Sequence, residues 1–156
     1  MRTETGYTLA IKAYNEGVDP KPFLNEVKIF EHLQNLQGIC IPVVVGSGES
    51  IFAGTIRGII IMSYEGIGAA TFELTETVLE RIGGAFSAIH ANRVYHQDIT
   101  LRNILINEDK VSVIDFESAA ICDREAPFLE GEQEVVERAC ARVRLSRDND
   151  RFLDAY

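Results

Sequence analysis

Apolar and polar positions divide the chain into segments of different period. From Tyr7 to Tyr14, Leu9, Ile11 and Ala13 alternate with Ala10, Lys12 and Tyr14, the period of a strand. Asn15–Pro22 carries Gly17, Pro20 and Pro22 and reads as a loop. Over Phe23–Leu36, Phe23, Val27, Phe30 and Leu33 recur at helical spacing, with Leu24 and Leu36 nearby, and Gly38 is placed to end that helix. Ile41–Val45 and Arg57–Met62 are β-branched runs with the character of buried strands, and Gly46-Ser47-Gly48 stands between them as a turn. Thr75–Ala91 predicts a second helix, capped by Thr75, with Glu76 in its first turn and Val78, Leu79, Ile82, Phe86 and Ile89 on its apolar face. Gly83-Gly84 weakens that helix locally and leaves room for close packing by another segment. Asn103–Ile106 and Val111–Phe116 read as short strands joined at Asn107–Lys110. A last helix is predicted over Glu130–Leu145, with Val135, Val136, Ala139 and Val143 along one face. Its first half is acidic and its second half arginine-rich, the polarity that suits the helix dipole.

A length of 156 residues suits one domain with a real core, and 46% hydrophobic with 25% charged residues is ordinary for a globular protein. The apolar run Gly58–Met62 is closed off by Arg57 and Ser63, so no bilayer span is expected. The N-terminal MRTETGYTLA has no apolar core of signal-peptide length, which points to a cytoplasmic protein. Cys40, Cys122 and Cys140 are odd in number and widely separated; with only His32, His90 and His96 beside them they suggest neither disulfides nor zinc, and read as small buried hydrophobes. A net charge of -9 argues against nucleic acid as a partner. It leaves room for carboxylates neutralised by a metal ion.

Chemistry concentrates in His96-Gln97-Asp98-Ile99-Thr100-Leu101-Arg102-Asn103, followed by Val113-Ile114-Asp115-Phe116-Glu117. A tight strand pair between the two stretches would return Asp115 beside Asn103. Three oxygen-bearing side chains would then converge, a site suited to Mg²⁺ with waters and phosphate oxygens completing its shell. Singly, these residues have plainer readings. Lys12 would be a solvated strand lysine, Glu26 a surface charge, His96 a satisfied core histidine, Asp98 and Asn103 turn formers, and Asp115 a strand end. Their order along the chain, on the elements that should carry them, shifts the balance.

That order resembles the protein kinases. His96 to Asn103 looks like the HRDxxxxN catalytic loop, and Asp115-Phe116-Glu117 like the DFG metal motif with its third position changed. The same stretches are similar to the HxDxxxxN and IDFE motifs of kinase-like small-molecule phosphotransferases, such as aminoglycoside and choline kinases, and to fungal kinase-like proteins. Leu36-Gln37-Gly38-Ile39 through Ile41-Pro42 also looks like the fungal group. Leu9-Ala10-Ile11-Lys12 resembles the VAIK strand, and Ile59–Tyr64 the strand that enters the hinge, with Gly66 after it. The resemblance covers roughly residues 7 to 117. It implies an α+β, two-lobed fold, with a small lobe to about Tyr64 and a large-lobe remnant from Gly66 onward. It implies ATP and Mg²⁺ as cofactors. Lys12 would contact the α- and β-phosphates, oriented by Glu26, while Met62 and Tyr64 would line the nucleotide site. Asp98 would accept or orient the proton of an attacking hydroxyl. Asn103 and Asp115 would hold the metal, and Arg102 would neutralise phosphate. His96 would brace the loop near Phe116, and Thr100 stands where many serine/threonine kinases carry a lysine.

Two family features have no counterpart. Met1–Ile11 contains Gly6 but no glycine-rich loop, and nothing after Glu117 matches APE, Ala126-Pro127-Phe128 being only an echo. Gly46-Ser47-Gly48 does not replace the loop, because Ile51 stands where the last glycine of GxGxxG is required and the stretch follows the lysine. The fold is therefore expected to be truncated at both ends, with no lid over the phosphates. The Tyr7–Tyr14 strand would be an exposed edge open to self-association or to a protein partner. Two functions follow: phosphoryl transfer from ATP to a hydroxyl acceptor, or a catalytically inactive pseudokinase that binds a partner. A third possibility is a fragment of a longer kinase, against which Met1 and the helix at Glu130–Leu145 both weigh.

Overall fold

The computed structural model describes residues 8–14, 19–52, 55–72, 74–108, 110–122, 131–132, 134–136, 138 and 140–141. Strand β1 (Leu9–Ala13) pairs antiparallel with β3 (Thr55–Ser63), which pairs in turn with β2 (Val44–Phe52), giving the order β1-β3-β2. Lys12 lies opposite Ile60 and Ala10 opposite Met62. Directly opposed residues share a face, so Lys12 shares its face with the fully buried Ile60, and Ile11, on the other face, is exposed.

Gly46-Ser47-Gly48 is not a turn. It lies within β2 opposite Ile61, Ile60 and Ile59, past a register shift between Val44 and Gly46. A bulge absorbs one residue there, so a glycine pair that marks a turn by composition is carried inside a strand. The glycine that packing requires is Gly58 of β3, where a Cβ would sit 2.7 Å from Cγ of Phe23.

Helix α1 (Lys21–His32) starts earlier than its apolar period implies, because Pro22 falls in the first turn, where its missing N–H costs nothing. It stops well before Gly38 and hands over to a 3₁₀ turn, Gln34–Leu36. Gly38, at φ 78°, instead closes a turn by donating its N–H to the Ile41 carbonyl. The buried face also differs from the expected one. Glu26, Ile29 and Phe30 are buried, Phe23 and Val27 only half-buried, and Leu24 exposed. The helix is rolled to bring Glu26 inward.

In the second lobe, β4 (Ile67–Gly68), β6 (Ile104–Asn107) and β7 (Lys110–Val113) form an antiparallel sheet, and β5 (Val94–Tyr95) pairs with β8 (Ala120–Ile121). Helix α2 (Glu76–Ala91) packs against β7 and is capped as expected, with the Val78 N–H donating to Thr75 Oγ1. Gly83 and Gly84 serve no close approach: among the described residues nothing would meet a Cβ there within 4 Å. Residues 131–132, 134–136, 138 and 140–141 are helical. Among the described residues Glu132, Val136 and Cys140 are buried there; of the expected face, Val136 is buried and Val135 is exposed. Ala139 and Val143 lie outside the described residues. Cys40 and Cys140 are buried, but Cys122 is only half-buried.

One apolar cluster runs through both lobes. Ile29, Phe30, Leu33 and Ile41 from the first part of the chain join Leu79, Ile82, Phe86, Ile89, Ile104, Val113 and Phe116. The fold is the α+β, two-lobed kinase-like arrangement. Among the described residues no helix is long and apolar enough to cross a membrane.

Candidate active site

The site is assembled where β1, α1 and the segment after β7 meet. Nζ of Lys12 lies 2.6 Å from Oε2 of Glu26, 2.5 Å from Oδ1 of Asp115 and 3.3 Å from Oε2 of Glu117. One ammonium therefore faces three carboxylates whose oxygens cluster within 4.8 Å of one another. Tyr14 donates its hydroxyl to Oε2 of Glu26, and the Phe116 N–H donates to Oε1 at 3.1 Å. Glu26 is fully buried, and burial outweighs the attraction of Lys12 and these hydrogen bonds, holding its pKa above the usual carboxylate value. Burial works to lower the pKa of Lys12, but Coulombic attraction to Glu26 and the hydrogen bonds to Asp115 and Glu26 prevail, and it stands above its ordinary value. The lysine is thus a fixed positive charge.

Asp115 adopts a left-handed backbone, φ 69°, a conformation that aspartate tolerates better than most residues. The peptides on either side are tied down. The Ile114 N–H donates to the Asn103 carbonyl at 2.9 Å, and Asn25 Nδ2 donates to the Glu117 carbonyl at 3.1 Å and the Ala119 carbonyl at 2.8 Å. Phe116 is fully buried, edge-on to Phe30 at 5.5 Å and beside His96 at 4.9 Å.

The loop before β6 is held from beneath. His96 is buried; its Nε2 donates to the Ile114 carbonyl at 3.0 Å, and its Nδ1 accepts the Asp98 N–H at 3.3 Å. That pattern belongs to the neutral ring, and burial lowers the pKa of the imidazole despite the opposing Ile114 hydrogen bond and nearby carboxylates. Gln97 is also left-handed, φ 67°, and the buried Glu132 explains how it is kept there. Its carboxylate accepts the N–H of His96 and of Gln97, each at 2.8 Å, and contacts Nε2 of His90 at 2.8 Å. Asn103 donates Nδ2 to the Asp98 side chain at 2.8 Å and to its carbonyl at 3.0 Å, and Arg102 lies 3.5 Å from the same carboxylate.

Above these groups a cavity of about 330 Å³ opens between the lobes. Ala10, Met62, Tyr64, Leu105 and Ile114 line it, and Lys12, Glu26 and Asp115 close its polar end. The chain crosses between lobes at its rim. There the buried Glu65 accepts from Ser63 at 2.5 Å and from Ser112 at 2.8 Å, and pairs with Lys110 at 2.5 Å. Those hydrogen bonds overcome its burial and lower its pKa. Gly66 follows at φ 103°, where a Cβ would lie 2.0 Å from the Ile106 carbonyl oxygen.

A strand lysine paired with a buried helix glutamate, an HxDxxxxN loop and an aspartate after a short hairpin make a kinase-like site, and the comparison with known families agrees. The model of the lipopolysaccharide kinase (Kdo/WaaP) family matches residues 22–156. The chain belongs to that family. It is also 26% identical over 148 aligned residues to the EKC/KEOPS complex subunit bud32 of Aspergillus fumigatus, an alignment covering 77% of this chain and 52% of that protein. The chain thus spans about half the length of this relative. Membership places it among kinase-like phosphotransferases.

Within this Kdo/WaaP-family site, the residues singled out from sequence fall into two groups. Lys12, Glu26 and Asp115 are in direct contact. Asp98, Asn103 and Arg102 form a second contact group, joined to the first through the Asn103 and Ile114 backbones. Met62 and Tyr64 lie on the cavity wall. Asn25, Tyr14, Glu65 and Glu132 escaped sequence reading, and Glu117 entered it only as a departure from DFG. An acidic third position was the one available signal. The others act on backbone or partners distant in sequence, and carry no local pattern.

Proposed function

We propose that this protein transfers a phosphoryl group from ATP to a hydroxyl acceptor with Mg²⁺. The observation that carries this reading is the ammonium of Lys12, held at 2.6 Å from Glu26 and 2.5 Å from Asp115, two residues far apart in sequence and on different lobes. Glu26 is buried, while the Lys12 and Asp115 side chains stay 29% and 31% exposed at the cavity, so the network presents its charge to a ligand there. The oxygens of Glu26, Asp115 and Glu117, within 4.8 Å of one another, are hard donors of the kind Mg²⁺ takes, and Asp115 would hold the ion, with Asn103, whose amide here bonds Asp98, as the second expected ligand. When bound, the ion neutralises charge on the phosphates. Lys12, aligned by Glu26, would supply positive charge to the phosphates. Asp98, its carboxylate oriented by Asn103 and Arg102, takes up the proton of the acceptor hydroxyl. Met62 and Tyr64 on the cavity wall would face the base. Transfer of this kind depends mainly on positioning and electrostatics.

One ammonium against three carboxylates leaves an excess of negative charge, so ATP alone should be repelled and Mg²⁺ required. The test is the thermal midpoint with ATP, with and without Mg²⁺, in the wild type and in Asp115→Ala. Ligand binding to the native state raises the midpoint by mass action. A rise that needs Mg²⁺ and disappears in Asp115→Ala is expected. An equal rise without the metal, or in the variant, would refute the assignment.

A second reading, a partner-binding module without turnover, draws on the relative, which is by name a subunit of a complex. β1 is an outer strand of its sheet, where a partner strand or a second copy of the chain would add. Light scattering that gives a monomer at high concentration would count against the second copy. A cytoplasmic setting accords with three cysteines, none of them in a disulfide.

A further inference from the structure

We propose that Asn25 is a positioning residue that clasps the metal-loop turn to α1, so that the lysine–carboxylate site is assembled without an activating phosphate; this rests on the phosphotransferase reading above. Asn25 and Glu26 are neighbours on α1, and together they hold both kinds of backbone group around Phe116. Glu26 Oε1 accepts the Phe116 N–H at 3.1 Å. Asn25 Nδ2 donates to the Ala119 carbonyl at 2.8 Å and the Glu117 carbonyl at 3.1 Å, and lies 3.5 Å from that of Phe116. The turn they grip is closed by the Ala119 N–H on the Phe116 carbonyl at 3.0 Å. It contains Glu117, whose carboxylate reaches Lys12, and follows directly on Asp115.

The chemistry of the clasp is selective. Three carbonyls converge on one side chain, so only a donor satisfies them. An amide NH₂ has two hydrogens and no charge to attract Lys12. An aspartate there would meet the carbonyls with lone pairs and add a fourth carboxylate to the site. Elsewhere among kinases, the placing of the glutamate helix and the metal motif is controlled through phosphorylation of the following segment. Here the helix grips that segment's backbone directly. At its far end α1 is tied again, where His32 Nε2 meets the Asn92 carbonyl at 2.9 Å and Asn35 Nδ2 meets Asn92 Oδ1 at 3.1 Å. A helix held at both ends does not swing its glutamate away from Lys12.

Hydrogen exchange on the unliganded full chain tests this independently of any activity. In the wild type, the Asn25 Nδ2 protons should exchange about tenfold more slowly than those of the exposed Gln34 side chain, and the pattern should survive phosphatase treatment. In Asn25→Ala and Asn25→Asp, the Phe116 and Ala119 amides should exchange about tenfold faster while Val111 and Val113 stay within about twofold. Affinity for Mg·ATP should fall by about tenfold in both variants. Fast exchange at Asn25 Nδ2, a rise at Phe116 after phosphatase, or acceleration spread evenly over β6 and β7 would overturn the clasp. A wild type that binds no nucleotide would overturn the functional reading alone, and the exchange measurements would still decide the clasp.

Discussion

At the scale of single residues, the site holds groups whose protonation is set by burial, and the two clearest respond to pH in opposite directions. His96 is neutral in the fold, with a pKa below its ordinary 6.5. The unfolded chain therefore takes up that proton first as pH falls. The stability His96 contributes is complete above 6.5 and is lost progressively below it. The thermal midpoint of the wild type should fall on acidification through this range, and His96→Gln, whose amide nitrogen reaches the Nε2 position and can still donate to the Ile114 carbonyl, should show a shallower fall. Equal slopes would mean that His96 is not the source of the acid response. Glu26 behaves oppositely. Its folded pKa is raised above 4.5 by burial, so its contribution is complete below 4.5 and lost as pH rises through the folded value. Glu26→Gln keeps one acceptor oxygen, which can still take the Phe116 N–H, and turns its amide NH₂ towards the Tyr14 hydroxyl and Lys12. It should shift the midpoint at pH 7 by only about 3 °C while weakening Mg·ATP binding by about tenfold or more. A large fall in midpoint with unchanged affinity would show that the pair is structural.

At the scale of elements, the helical residues around Glu132 bear on the catalytic loop more directly than their sequence suggests. The Glu132 carboxylate satisfies two adjacent backbone N–H groups, at His96 and at the left-handed Gln97. Glu132→Ala strands the buried His96 donor, removes the partner of the N–H at the exposed Gln97, and should cost on the order of 2 kcal/mol in urea denaturation. Turnover should fall further than that loss of folded protein explains, because Asp98 follows directly. Activity that merely tracks the folded fraction would remove Glu132 from the positioning of the loop. This anchor was invisible in sequence, since a glutamate in an acidic helical stretch looks like any solvated one. Helix α2 and the β6–β7 hairpin were legible, because their apolar positions keep a regular period and Thr75 supplies a cap. For α1 the extent was approximate and the face only partly right: Phe30 and Leu33 are buried, but a period of apolar residues cannot anticipate that Glu26 will be buried against a lysine on β1. Gly46-Ser47-Gly48 misled for a related reason: composition marks a turn, but a bulge and pairing with β3 carry it through as strand. The site's order of residues was plain, whereas its supports at Asn25, Tyr14, Glu65 and Glu132 depend on tertiary contacts.

At the scale of the whole molecule, the lobes share their core and their polar ties, which predicts that they unfold together. Phe30 of α1, Phe116, His96 and Phe86 of α2 form a continuous file of rings with centroid separations of 5.5, 4.9 and 6.0 Å. Backbone and side-chain bonds cross beside it: the Val113 N–H to the Cys40 carbonyl at 2.8 Å, and Glu65 to Ser112 and Lys110 at the interlobe crossing. Neither lobe can open without exposing this file to water. Phe30 is 2% exposed, and Phe30→Ala removes the ring at the α1 end of the file, at a cost of about 3–5 kcal/mol. The chain has no tryptophan, so its five tyrosines provide the tertiary signal and far-ultraviolet dichroism the secondary one. In the wild type both signals should give the same denaturant midpoint. In Phe30→Ala both should move together to lower denaturant with the slope unchanged. Midpoints that separate, or a variant that shifts only one signal, would show that the lobes fold independently. The interlobe cavity would then be a joint between two stable bodies, and the ion pairs of Lys12 with Glu26 and Asp115 would form only when those bodies close.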